Sequence, residues 1–148
     1  MKVLIVNTSE KTGGAALAAN RLKDALNNNG VKAKMLVRDK LTDDITIVGL
    51  SHTLCNQLHF LWERWCIFWH LHFSRKHLFE IDIANSGVDI TKLPEFKEAD
   101  IIHLSWINQG MLSLKGIRKI LDSGKPVVWT MHDIWPATGI CHIALGCL

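Results

Sequence analysis

The chain has 148 residues, nearly half of them apolar, and a formal net charge of +3. That length suits one domain with a real core and is too short for two ordinary ones, and the apolar content excludes a disordered chain. The charge is too mild, and the Lys and Arg residues too scattered, for a dedicated nucleic-acid binder.

Residues 2–7 carry the apolar run Val3-Leu4-Ile5-Val6, which predicts a buried first strand ending at Asn7. The run is too short for the apolar core of a signal peptide. The four cysteines follow no regular spacing, so they do not read as a disulfide framework. The expected location is therefore the cytoplasm, with thiols reduced. Next comes Asn7-Thr8-Ser9-Glu10-Lys11-Thr12-Gly13-Gly14-Ala15-Ala16, a loop with two glycines that opens a helix over 15–28. The first amides of a helix lack partners inside it, and the helix dipole favours negative charge there. Gly13 and Gly14 would let a phosphate approach the backbone closely. This turn is the expected site for the diphosphate of a nucleotide-linked substrate. It has neither the G-x-G-x-x-G of a dinucleotide fold nor the G-K-[ST] of a P-loop.

Alanines near the start of the helix let it lie close to a sheet, and Asn27-Asn28-Asn29-Gly30 ends it. Residues 33–38 read as a second strand, giving a βαβ unit with a parallel crossover. Residues 45–48 read as a short strand or extended arm. Over 53–73, Leu54, Leu58, Leu61, Trp62, Trp65, Trp69 and Phe73 recur at three- and four-residue steps, predicting an amphipathic helix roughly 30 Å long. Glu63 and Arg64 interrupt the stripe, and three histidines lie within it, which argues against a membrane span. Ordinary core or a domain-packing surface is one reading of the stripe. The other is a wall for a lipid or peripheral contact with the inner face of the cytoplasmic membrane, because Trp, Phe, Arg75 and Lys76 are residue types found at bilayer interfaces. Cys55 and Cys66 in this helix are expected to behave as small buried apolar groups.

Residues 74–93 read as irregular, with a short strand near 81–84 and a turn at Asn85-Ser86-Gly87. Strands follow at 101–104 and 127–131, with a helix over 113–121 between them. The rest, from Ile134, reads as loop or as the start of a helix, and the ending at Cys147-Leu148 reads as a domain cut short. The expected fold class is α/β, a Rossmann-like open parallel sheet flanked by helices. In such sheets ligands collect beyond the carboxyl ends of the strands. Those ends deliver Asn7 and the glycine loop, then Ser105, Trp106 and Asn108, then His132 and Asp133. His132 could donate a hydrogen bond to a sugar hydroxyl or sit in the core; Asp133 could orient it or cap a turn. His103 reads as structural. Cys141 and Cys147 do not have metal-site spacing, and a metal site completed by residues of this chain is not expected.

Taken together, Lys2-Val3-Leu4-Ile5-Val6-Asn7, Thr12-Gly13-Gly14-Ala15-Ala16, Ala99-Asp100-Ile101-Ile102-His103-Leu104-Ser105-Trp106 and Trp129-Thr130-Met131-His132-Asp133-Ile134-Trp135-Pro136 form an ordered set. The set resembles the N-terminal domain of bacterial family 4 glycosyltransferases of the GT-B fold, of the capsule, exopolysaccharide and lipopolysaccharide type. The resemblance implies retaining sugar transfer from a nucleotide sugar to a glycan or lipid-linked acceptor. This chain would be the acceptor-side half, and the missing C-terminal domain would hold the donor. The implied roles are His132 at the reacting centre, Gly13 and Gly14 against the donor diphosphate, and Asn7, Trp106, Asn108 and Asp133 near substrate. No cofactor is implied beyond the nucleotide-sugar co-substrate. Relatives often carry a second His where this chain has Ser105, and further cysteines beyond Cys147. Two rival readings stand beside this one. One is a nucleotide- or dinucleotide-binding Rossmann domain; the other is a non-catalytic module that meets a membrane or partner through the Trp-rich helix.

Overall fold

In the computed structural model, which describes residues 1–51 and 53–143, the first strand, β1 (Lys2–Ser9), is buried from Val3 to Ser9. A strand covered on both faces needs apolar residues at every position, which is why its core reads as an unbroken run rather than an alternation. Val3 and Ile5 pack with Met35, Val37 and Ala19 on one face. Leu4 and Val6 pack with Leu104, Phe96, Met111, Ile120 and Trp135 on the other. The remaining strands are β2 (Lys32–Asp39), β3 (Ile47–Gly49), β4 (Ile101–Leu104) and β5 (Val127–Trp129). The sheet order is β3-β2-β1-β4-β5, and every neighbouring pair is parallel. The molecule is thus an α/β fold with a Rossmann-like open sheet. The chain leaves β1 toward one edge and later crosses to the other, so the switch point lies between β1 and β4.

Helix α1 (Gly14–Asn28) covers the first face, with Ala16 and Ala19 buried against the sheet. Small side chains allow that close approach. The asparagine run ends the helix as expected, and Gly30 takes φ +79°. Asn27 does more than stop the helix. Its side-chain amide both accepts from and donates to the backbone of Ala33, at 2.9 and 3.0 Å, like a neighbouring strand. Lys23, buried under α1, pairs with Asp44 at 2.8 Å and pins the loop before β3.

The other face is covered by α3 (Pro94–Glu98), α4 (Leu114–Leu121) and α5 (Trp135–Thr138). One of these corrects the sequence reading, and another decides between its two alternatives. Residues 94–98, where no element was expected, form α3, with Pro94 at its first turn and Phe96 buried. One and a half turns cannot display a period. The stretch beyond Ile134 holds α5, closed by Gly139 at φ +72°, and Trp135 is buried in the core. In place of a strand near 81–84 there is a single bridge, Ile81 to Cys141, antiparallel. The last strand ends at Trp129, two residues before the expected end. The turn at Gly87 has a packing cause, since a Cβ there would lie 2.4 Å from the Ser113 amide nitrogen.

Helix α2 (Thr53–His70) is inverted relative to a core helix. The expected stripe faces outward, and Trp62, Trp65 and Trp69 are 57%, 53% and 60% exposed. The core reading of the stripe is therefore overturned. Cys55 is exposed as well. The inner face consists of Asn56, Glu63, Arg64 and Ile67, all buried. Glu63 accepts from the backbone amides of Ile83 and Ala84, at 3.0 and 2.6 Å. Arg64 donates to the Leu78 carbonyl at 2.6 Å and pairs with the Asp82 carboxylate. Among the described residues no helix is long and apolar enough to cross a membrane.

This inversion reverses the usual ranking of a Trp and a Glu in a helix. Glu63→Ala strands one buried and one half-buried backbone donor and should lower unfolding free energy by about 2–4 kcal/mol. Trp65→Ala removes an exposed ring and should change it by less than about 1 kcal/mol. Urea unfolding of the two variants checks the ranking, and a larger loss from Trp65→Ala would contradict the packing described.

Candidate functional site

A cleft of about 410 Å³ opens at the carboxyl edge of the sheet, over the switch point. It is lined by Asn7, Thr8 and Ser9 from the end of β1, the loop and helix start from Thr12 to Ala15, Arg38 and Asp39 from the end of β2, Trp106 and Gln109 after β4, and His132 and Asp133 after β5. The three strand ends singled out in the sequence do share one rim. Gly13, Gly14, Asn7, Trp106, His132 and Asp133 all border the same space. Asn108 does not: it is buried, and its carbonyl accepts from Thr8 Oγ1 at 2.9 Å.

The side of the cleft formed by the start of α1 is backbone. Gly13 precedes α1 with φ +87°, a conformation that favours glycine, and among the described residues no side chain caps the helix. A Cβ on Gly13 or Gly14 would meet nothing within 4 Å, so the space in front of these amides is open. Gly14 has an ordinary φ, so its lack of a side chain answers to no local steric demand. The loop is held from behind: Ser9 Oγ accepts from the Thr12 amide at 3.0 Å, and the Glu10 carboxylate accepts from the amides of Leu41 and Thr42. Glu10 is therefore buried away from the cleft, tying the loop after β2.

The opposite side is built by side chains that bond one another. Asn7 donates to the Ser9 carbonyl at 2.7 Å and accepts from the Trp106 amide at 2.9 Å, joining the ends of β1 and β4. The Trp106 indole N–H donates to Asp133 Oδ2 at 3.1 Å. Asp133 Oδ1 accepts from the Trp135 amide at 3.0 Å, an Asx turn leading into α5. Asp133 thus serves the turn and Trp106. It makes no hydrogen bond to His132 among the described residues. His132 is held instead by Ser105, whose Oγ lies 2.8 Å from Nε2. Ser105 is buried and His132 is exposed at the cleft. His103 meets Thr130 Oγ1 at 2.8 Å, and burial, then the neighbouring His132, hold its imidazole below the usual histidine value.

Two features, one in the cleft and one behind its wall, escaped the sequence. Arg38 reaches into the rim with Nε 2.9 Å and Nη2 2.6 Å from the Asp39 carboxylate, donates to the Gln109 carbonyl, and lies 5.6 Å over the Phe60 ring. Its position as the penultimate residue of β2 was the available signal. The second is His142, which bridges Asp133 and Asp82 with 2.6 Å at each ring nitrogen. Burial would lower the His142 value, but hydrogen bonds and charge from both carboxylates outweigh it and hold the imidazole above the usual range. This histidine stands sixty residues from Asp82, so no local pattern announces the pair. Cys147 lies outside the described residues.

No protein family, curated protein or solved structure matches the chain.

The His142 bridge sets a pH dependence. A histidine whose folded value is raised contributes stability that is complete below its unfolded value near 6.5 and is lost as pH rises through the folded value. His103, shifted down, acts in the opposite sense, so the comparison must isolate His142. His142→Asn should therefore destabilise the protein more at pH 6 than at pH 8.5, as read by urea midpoints. An equal loss at both pH values would mean that His142 is not charged in the fold.

Proposed function

We propose that this chain is the acceptor-side half of a retaining glycosyltransferase that moves a sugar from a nucleotide-sugar donor to a glycan or lipid-linked acceptor. The observation that carries the reading is the single cleft shared by the uncapped start of α1 and His132. It adds to the ordered motifs that resemble family 4 enzymes.

In such a transfer the bond between the anomeric carbon and a diphosphate oxygen breaks, and negative charge gathers on the departing diphosphate. Amides fixed at the start of α1, with the helix dipole behind them, would oppose that charge without having to reorganise. His132, steadied through Nε2 by Ser105, would hydrogen-bond the sugar at the reacting centre. Asn7, Trp106 and Asp133 bind one another and would shape the acceptor wall rather than do chemistry. Donor groups on the far side of the cleft would come from a second domain, whose closure would exclude water. The reading calls for a nucleotide-sugar co-substrate and no resident cofactor.

A second reading has one observation in its favour. Asp39 ends β2 at the cleft, where dinucleotide folds hold an acid against a ribose. Its carboxylate is taken by Arg38, and the third glycine of the fingerprint is lacking. Titration with NAD separates the two, since micromolar binding would favour the dinucleotide reading.

The test of transfer uses the complete gene product. His132→Ala should lower sugar transfer by roughly ten- to a thousand-fold, as loss of one fixed donor does elsewhere. Unchanged turnover would remove His132 from the mechanism. Gly14→Ala adds a methyl to open space in front of the amides and favours helix. It should keep or raise the melting temperature while lowering affinity for the nucleotide sugar. Unaltered affinity would move the diphosphate away from α1.

A further inference from the structure

The cleft leaves one large feature unexplained. Along α2, Leu54, Leu58, Leu61, Trp62, Trp65 and Trp69 are between 53% and 78% exposed. At 100° per residue they fall within a stripe about 100° wide. Open grooves run along it, one lined by Leu58, Leu61, Trp62 and Trp65, another by Trp69, His70, His72 and Phe73. Solvated single apolar residues are ordinary, but a continuous stripe of this size marks an interaction surface. The helix has no easy way to turn the stripe inward. Its opposite face is fixed by the buried Glu63 on two backbone amides and by the buried Arg64 on Asp82 and Leu78. Rotation would carry a buried acid and a guanidinium out of those bonds.

We infer that the outer face of α2 docks on an anionic phospholipid bilayer, lying along its headgroup layer. The charge pattern selects this occupant. From residue 53 to residue 79 the only acid is Glu63, and it is fully buried. The exposed charges at the end of the stripe are Arg75 and Lys76. The next acid, Glu80, is paired with His77. An apolar, Trp-rich face next to exposed cations complements the acyl boundary and the phosphates above it. A second copy of the chain would bring the same patch to itself and offer Arg75 and Lys76 no free acid. The aromatic end is also pre-arranged: Phe73 stands edge-on to Phe68 and Trp69, with ring centroids 5.4 and 5.1 Å apart. The helix lies on the bilayer and does not span it. Nothing in this inference depends on the sugar-transfer reading, and neither fails with the other.

Flotation of the purified chain with vesicles tests it, using phosphatidylcholine alone and phosphatidylcholine mixed with phosphatidylglycerol. The chain should float with the mixed vesicles. The triple variant Trp62→Ala, Trp65→Ala, Trp69→Ala should lose at least about tenfold in affinity while keeping its helical circular dichroism. The pair Arg75→Glu, Lys76→Glu lies beyond the helix and stands in if the triple variant unfolds. It should weaken binding to mixed vesicles by roughly fivefold per charge, and leave phosphatidylcholine unaffected. Absence of flotation overturns the proposal, as does equal binding to both vesicle types. A dimer of the wild type in light scattering that the triple variant converts to monomer, without vesicle binding, would assign the face to a second copy.

Discussion

Asp82 is the point where the irregular half of this molecule is held together. One carboxylate oxygen takes the Arg64 guanidinium from α2, the other takes His142, and its carbonyl accepts from the Trp135 indole at 2.8 Å. A buried carboxylate is expensive unless its lone pairs are filled by well-placed donors, and here they are. Three stretches far apart in the chain therefore meet at one residue. They are the inner face of α2, the segment before the turn at Gly87, and the chain around α5. His142 passes the connection to Asp133, and Asp133 passes it to Trp106 at the rim of the cleft. Little regular backbone pairing holds these segments, since among the described residues the only sheet-like contact between them is the bridge from Ile81 to Cys141. Charge and hydrogen bonding replace a ladder.

The same chain of bonds explains the division of labour in the cleft. Asn7, Trp106 and Asp133 use their polar atoms on one another. They give the wall its shape. The open groups are of two kinds, the main-chain amides where α1 begins and an imidazole steadied by a buried serine. A cleft so arranged can receive charge on one side and a hydroxyl-bearing group on the other. Its floor is the switch point of a parallel sheet, where neighbouring strands send their loops in opposite directions and leave a space that no loop crosses.

The inversion of α2 belongs to the same network. Burying Glu63 pushes its carboxyl above the usual value, through burial first and the charge of Asp82 second. The fold accepts that cost because Glu63 holds the backbone of Ile83 and Ala84, the latter at φ +45°. Loop 105–112 then closes against the helix so tightly that a Cβ at Gly110 would stand 2.6 Å from the Phe60 nitrogen. The helix is thereby set beside the cleft with its aromatic side turned to the exterior.

Much of the regular half was legible in the sequence alone. The unbroken apolar run of β1, the alanines of α1, the stop at Gly30 and the strand at Ile101–Leu104 are local patterns, and each reflects a single face or period. The strand ends followed from them, so the grouping of Gly13, Gly14 and His132 on one rim could be anticipated from residue order. Tertiary structure decided what depends on partners distant in sequence. Periodicity shows that α2 has two faces but carries no sign for which is inside; that was settled by Asp82, eighteen positions after Arg64. Asn108 and Asp133 looked alike as polar residues after strands, yet one is buried and the other is tied to Trp106 and His142. Local propensity is a property of a few neighbouring residues, whereas burial of a charge is decided by whichever groups the completed fold brings within bonding distance.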